Sequence, residues 1–61
     1  MQNPTWYIIK RQNQTCEVIS SQELSEIPEA SIVKKWGSFD TQGEAIAKRV
    51  GLIRAQQCQP L

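Results

Sequence analysis

Histidine is absent from this chain of 61 residues, and cysteine occurs only twice. The missing imidazole removes the commonest general base and the usual nucleophile–base pairs. Cys16 and Cys58 form no CxxC motif, so a zinc or iron–sulfur site within one chain is not expected. Gly37, Gly43 and Gly51 match neither the P-loop nor the dinucleotide fingerprint. We therefore expect no enzymatic activity, no metal site and no cofactor.

Long apolar runs and a large excess of charge are missing as well. The apolar runs are short, so the sequence predicts no transmembrane helix and no membrane partner. The first residues lack the basic and apolar regions of a signal peptide, which favours a cytoplasmic location. In a reducing cytoplasm, Cys16 and Cys58 are expected to be thiols. The alternative is a bridge between them in an oxidising compartment, where it would stabilise the fold by roughly 3–4 kcal/mol.

Three segments of the chain predict β-strands. Residues 5–11 and 15–20 are rich in β-branched and aromatic side chains, and they predict an antiparallel hairpin around the polar turn 12–14. Residues 32–39 predict a third strand. Gly37 within it indicates a bulge or a close backbone approach.

The last third of the chain predicts a helix. Thr41 and Glu44 have the spacing of a capping box, in which the hydroxyl and the carboxylate satisfy backbone N–H groups at a helix start. Ile46, Val50 and Ile53 recur at the spacing of one helix face, so we expect this stripe to pack on the sheet.

Two further features of the predicted helix affect its length and its contacts. Gly51 costs about 1 kcal/mol against alanine in a helix interior, so the helix is expected to bend or end there. Ala45 and Leu52 lie seven residues apart on the flank away from the stripe and form a weaker candidate for a dimer contact.

Together these elements predict an α+β fold. It is a small three-stranded antiparallel sheet packed on one C-terminal helix (β-β-β-α), in a single domain that spans residues 1–61. Side chains alternate between the faces of a strand, and Glu17 makes the face of Cys16 and Val18 the expected core side.

The second face of the sheet is expected to remain open, because one helix covers only one face. Exposed apolar patches rimmed by polar groups usually mark interaction sites. The alternative is that the acidic segment 21–31, predicted as a loop or a short helical turn, covers this face through Leu24 and Ile27.

An aromatic and basic open face predicts a small non-catalytic protein-binding or regulatory module. The candidate binding residues are Tyr7, Lys10, Arg11, Lys34, Lys35 and Trp36. A weak DNA- or RNA-binding module that uses the three-stranded sheet is the alternative, because stacking and basic groups also suit nucleic acid. The net charge of +1 gives no general attraction to nucleic acid. A homo-oligomer that closes its own second face is a further alternative.

The corner WGSFDTQGEA, residues 36–45, resembles the strand–corner–helix of AP2-type DNA-binding domains and of the arm-binding domains of phage-type integrases. In those families the open sheet face enters the major groove. The resemblance implies DNA contacts by the matching residue types Lys10, Arg11, Lys34, Lys35 and Trp36. Those domains are usually far more basic than this chain, so the resemblance implies weak binding.

A wider resemblance covers most of the chain. The segment WGSFDTQGEAIAKRVGLIRAQQCQP, together with WYIIK and TCEV, is similar to a pattern of small cyanobacterial proteins. Its marks are the Trp-Gly-x-Phe corner, the Glu-Ala-Ile-Ala helix start and the run Arg-Val-Gly-Leu-Ile-Arg. This resemblance implies an origin and brings no activity with it.

Overall fold

The computed structural model describes residues 5–59. Its elements in chain order are β1 (Trp6–Arg11), β2 (Cys16–Ser20), α1 (Ser21–Glu26), a 3-10 turn (Glu29–Ser31), β3 (Ile32–Phe39) and α2 (Gln42–Arg54). The strands pair antiparallel in the order β2-β1-β3. The predicted α+β class, a three-stranded antiparallel sheet with a C-terminal helix, is confirmed. Over the described range, no helix is long and apolar enough to cross a membrane.

The hairpin between β1 and β2 forms where the sequence predicts it. The Arg11 N–H donates to the Thr15 carbonyl at 2.9 Å, and the Gln14 N–H donates to the Arg11 carbonyl at the same distance. Asn13 Oδ1 accepts hydrogen bonds from both the backbone N–H and the hydroxyl of Thr15. The polar residues of the turn therefore satisfy its backbone, and β1 becomes the central strand of the sheet.

Helix α1 occupies residues 21–26, for which the sequence predicts a loop with a helical turn as the lesser alternative. Its N-cap is Ser20, whose hydroxyl accepts a hydrogen bond from the Glu23 N–H at 3.2 Å. Pro28, which has no N–H to donate, follows the helix and limits it to six residues. The loop prediction is wrong because Ser20 and Glu23 form a helix-start signal of their own.

Helix α2 begins at the predicted cap. The Thr41 hydroxyl accepts a hydrogen bond from the Glu44 N–H at 3.1 Å. The helix continues through Gly51 to Arg54, and the Ala55 N–H then donates to the Gly51 carbonyl at 2.9 Å. Glu44 in the first turn and Arg54 in the last turn suit the helix dipole. The cost of one glycine is therefore too small to end this helix.

The face of α2 that packs on the sheet differs from the predicted one. Ala45 and Leu52 are buried, whereas Ile46 and Val50 are 47% and 42% exposed. The prediction that Ile46 and Val50 belong to the core stripe is therefore wrong. The assignment of Ala45 and Leu52 to a dimer contact is wrong for the same reason, because both lie in the core of the chain itself.

The core explains this choice of helix face. Its buried members are Ile8, Cys16, Ala45, Leu52 and Cys58, and the partly buried residues packed around them are Trp6, Val18, Trp36, Phe39 and Ile53. The sheet thus contributes three aromatic side chains to the core. Because these side chains fill much of the space between the sheet and α2, the helix packs against them with a small residue, Ala45. The predicted core face of β2, that of Cys16 and Val18, is confirmed.

Cys16 and Cys58 form a disulfide bond within this core. Their Cα atoms lie 5.7 Å apart, although 42 positions separate them in the sequence. Helix α2 returns the chain towards the start of β2, where the Gln59 N–H donates to the Gln14 carbonyl at 2.8 Å. The expectation of two separate thiols is wrong because sequence spacing does not reveal that the helix brings these residues together.

Candidate interaction surface

The six predicted binding residues divide between the two faces of the sheet. Ile8, which is buried beneath α2, pairs with Trp36, whereas its neighbour Ile9 pairs with Lys35. Because side chains alternate along a strand, the face towards α2 carries Lys10, Lys34 and Trp36, and the opposite face carries Tyr7, Arg11 and Lys35. The sequence predicts one surface for all six residues, and the structure does not bring them together.

Trp36 lies at the periphery of the core. It is half-buried and packs against the cluster that contains Ile8. Lys34 Nζ lies 5.3 Å from the centroid of its ring, a cation–π contact worth about 0.5–1 kcal/mol at an exposed site. Trp36 therefore packs on one side and is covered by a lysine on another, which leaves little of the exposed aromatic surface that the sequence predicts.

An irregularity in β3 explains why the predicted alternation of side chains fails. The register shifts between the partners of Trp6 and Tyr7, which pair with Phe39 and Gly37. Phe39 and Trp36, three positions apart, therefore both pack on the core. Gly37 has a φ of +141°, and a Cβ atom built on it would lie 2.6 Å from Tyr7 Cδ1. The predicted bulge and close approach at Gly37 are confirmed.

The face of the sheet away from α2 is partly covered by the chain itself. Ile9 is 0% exposed and Ile19 is 4% exposed, although neither belongs to the core beneath α2. Helix α1 contacts both β1 and β2, and Leu24 and Ile27 are half-buried. The alternative in which segment 21–31 covers this face is therefore correct for Ile9 and Ile19, and the prediction of an open apolar face is wrong there.

The remaining side chains of this second face contact one another. Lys35 Nζ lies 5.7 Å from the centroid of the Tyr7 ring. Arg11 Nη2 lies 3.1 Å from Glu17 Oε2. The two side chains of this ion pair are 36% and 42% exposed. Such half-exposed pairs contribute little to stability, at most about 1 kcal/mol. They nevertheless occupy the polar groups that the sequence assigns to partner binding.

The outer edge of β3 pairs with no strand within residues 5–59. The Arg11 N–H donates to the carbonyl of Thr15, the residue before β2, which shows that the odd-numbered residues of β1 direct their backbone groups towards β2. Lys35 pairs with the odd-numbered Ile9, so its own N–H and C=O point away from the sheet. A strand of eight residues thus presents backbone donors and acceptors to an added strand.

A groove of about 510 Å³ runs beside this edge. It is lined by Leu24, Ile27, Glu29, Ile32, Val33, Lys34 and Lys35. Val33 lies at a second register shift of β3 and is 53% exposed, more than any other large hydrophobic residue that the structure describes. The sequence prediction missed Ile32 and Val33, and the available signal was a pair of apolar residues on each side of Pro28.

Lys34 and Lys35 make the β3 edge basic. They are adjacent, exposed and directed to opposite faces. Neither forms a salt bridge with any residue in the described range, and the ammonium group of each lies over the aromatic ring on its own face. The edge therefore attracts carboxylate groups and repels other positive groups.

A second exposed apolar patch, formed by Ile46 and Val50, lies on α2. Ile46 borders a shallow depression along β2, together with Val18 and Arg49. Arg49 reaches across it and donates a hydrogen bond to the backbone of β2. This side of the sheet is therefore partly occupied by the chain itself, in contrast to the edge of β3.

Neither metal ligands nor comparisons with known proteins add to the description of this surface. Among the residues described, no group of His, Cys, Asp or Glu side chains could hold a metal ion. Comparisons of the chain with protein-family models, curated proteins and solved structures found no match.

Proposed function

We propose that this chain is a small non-catalytic protein-binding module whose contact site is the outer edge of β3. The observation that supports it is the combination of outward backbone groups at Lys35 with the exposed side chain of Val33 beside a groove of mixed apolar and charged lining. An extended partner segment adds to such an edge as a further strand, in which backbone hydrogen bonds supply affinity and side-chain pockets supply specificity. Of the six predicted residues, the proposal keeps Lys34 and Lys35 as contact residues.

The two lysines fit this role because they disfavour pairing of β3 with the β3 strand of a second copy of the chain. Exposed edge strands invite pairing with other chains, and charged side chains, lysine above all, protect them. Like charges that lie directly opposite each other destabilise a strand pair. Lys34 and Lys35 therefore disfavour pairing between two β3 strands and leave the edge accessible to a strand of another charge.

The nucleic-acid alternative draws less support from the geometry. The four basic residues of β1 and β3 are divided between two faces, and the two aromatic rings are each covered by a lysine. Base stacking requires an open ring face. Part of the second face, which is open in the DNA-binding families of the resemblance, is covered here by α1.

The cytoplasmic location predicted from the sequence stays a prediction. Disulfides are rare in cytosolic proteins because thiol reductants keep cysteines reduced, so the Cys16–Cys58 bond favours the oxidising alternative. Alkylation of thiols in intact cells distinguishes the two compartments. Labelling of both cysteines without prior reduction would support the cytoplasm, and labelling only after reduction would support an oxidising compartment.

Affinity capture with two matched variants tests the proposed function. Val33→Asp places a charge at the β3 edge, and Ile46→Asp places the same charge at a similarly exposed position on α2. Circular dichroism checks that both variants fold. We expect the wild type and Ile46→Asp to capture the same proteins after nuclease treatment, and Val33→Asp to lose them. Equal retention by Val33→Asp would contradict the proposal, and loss of capture on nuclease treatment would favour nucleic acid.

A further inference from the structure

We infer that the partner segment is an extended acidic peptide, with two adjacent carboxylate side chains opposite Lys34 and Lys35 and an apolar side chain in the groove at Val33. The inference rests on the proposed function and adds the chemical class of the partner to it. Three features of the edge lead to it: the directions of the two lysines, the position of the groove and the charge of β3 itself.

The two lysines direct their charges to different faces of the sheet. Lys34 Nζ lies 5.3 Å from the Trp36 ring centroid, and Lys35 Nζ lies 5.7 Å from the Tyr7 ring centroid on the other face. Ring contacts of this kind orient an ammonium group without neutralising it. A strand added to β3 alternates in the same way. Two neighbouring acidic residues therefore place one carboxylate beside each lysine.

The groove selects the residue next to the acidic pair. Val33 lies two positions before Lys35, and the groove beside it is also lined by Leu24 and Ile27. An apolar partner side chain at this point would remove the exposed surface of Val33 from water, which is favourable. Glu29 lines the same groove and repels a carboxylate there. The register that places the acidic pair at the lysines is therefore the favoured one.

A second copy of this chain is a poorer occupant of the edge. Antiparallel pairing of two β3 strands through their outward backbone groups, about a two-fold axis at Lys35, would place Lys35 of one copy directly opposite Lys35 of the other. Like charges across a strand pair are destabilising. An acidic strand replaces this repulsion by attraction on both faces.

Titration of the full chain with synthetic peptides tests the inference. The first peptide alternates valine and threonine around a central pair of glutamates, and the second carries lysines in place of the glutamates. A third is the first peptide with N-methylated backbone amides, which cannot pair with a strand edge. Fluorescence anisotropy reports affinity, and amide NMR spectra report which residues are affected. We expect saturable binding of the first peptide alone, with shifts concentrated in residues 32–37.

Charge reversal at one edge residue gives a sharper test. Lys35→Glu leaves the contact between Lys34 and Trp36 in place, and Arg54→Glu reverses a charge in the last turn of α2 as the control. We expect Lys35→Glu to weaken binding of the glutamate peptide about tenfold and to improve binding of the lysine peptide. Arg54→Glu should leave both affinities within about twofold.

Several outcomes would overturn the inference. Equal binding of the lysine and glutamate peptides would remove the acidic specificity, and equal binding of the N-methylated peptide would remove strand addition. A dimer in light scattering that Val33→Asp dissociates would identify a second copy as the occupant. If Val33→Asp loses the captured proteins while Lys35→Glu keeps them, the inference fails and the proposed function stands. If Val33→Asp keeps them, both fail.

Discussion

Arg49 donates a hydrogen bond from Nε to the backbone carbonyl oxygen of Cys16, at a distance of 2.9 Å. Cys16 begins β2, and its carbonyl lies on the outer edge of that strand because Thr15 and the other odd-numbered residues bond to β1. A side chain from α2 therefore occupies one edge of the sheet. The opposite edge, at Lys35, has no such contact in the described part of the chain.

Substitution of Arg49 should loosen α2 from β2. Arg49→Met keeps much of the aliphatic stem but leaves the Cys16 carbonyl without its donor, so we expect the free energy of unfolding to fall by about 1–2 kcal/mol. Lys48→Met, on an exposed position of the same helix, is the control and should change it by at most about 0.5 kcal/mol. Guanidinium denaturation measures both, and equal effects would contradict a specific role for Arg49.

The orientation of α2 predicts which of its apolar residues carries stability. Leu52→Ala removes buried methyl groups and should cost about 2–5 kcal/mol. Val50→Ala truncates a side chain that is 42% exposed and should cost no more than about 1 kcal/mol. Thermal and chemical melting compare the two variants directly. A larger loss for Val50→Ala would restore the helix face predicted from the sequence.

Two glycines should respond to alanine with opposite signs. At Gly37 the positive φ and the Tyr7 ring leave no room for a methyl group, so we expect Gly37→Ala to destabilise the fold by about 1–3 kcal/mol. At Gly51, within α2, no atom beyond its chain neighbours and the adjacent helix backbone lies within 4 Å of an added Cβ. Gly51→Ala should therefore stabilise the fold by up to about 1 kcal/mol. Urea denaturation of both variants tests the pair, and a stabilising Gly37→Ala would contradict the close approach.

Loss of the disulfide should lower the stability of the fold strongly. The bond closes a loop with a sequence separation of 42, for which chain entropy predicts a loss of about 4 kcal/mol on opening. The double variant Cys16→Ala with Cys58→Ala tests this by denaturation, with the untreated and reduced wild type alongside. The reduced wild type should melt well below the oxidised protein. Identical melting curves would show that the packing of Cys16 and Cys58 is sufficient without the bond.

The sequence predicted the three strands, their antiparallel arrangement and the start of α2, because each rests on local signals. Strand propensity and the Thr41 cap need no knowledge of distant residues. Helix α1 also had a local signal in Ser20 and Glu23, but the proline and the acidic residues that follow favoured a loop. In the structure, the Ser20 cap outweighs the effect of Pro28, which lies beyond the end of the helix.

The candidate site was harder to predict because it depends on strand register. Register shifts at Val33 and beside Gly37 alter the alternation of β3, so the parity of residue numbers assigns Trp36 and Phe39 to opposite faces when both pack on the core. The edge position of β3 is a property of the sheet as a whole. Neither feature follows from composition or periodicity, although Lys34 and Lys35 themselves were visible as a basic pair.

Helix α1 and the residues after it contribute both to the groove beside β3 and to the cover over the second face of the sheet. Leu24 and Ile27 line the groove beside β3, and they belong to the segment that covers Ile9 and Ile19. Occupancy of the groove and opening of that cover are therefore linked equilibria. A segment bound at the edge would slow amide hydrogen exchange in the central strand, at positions it never touches.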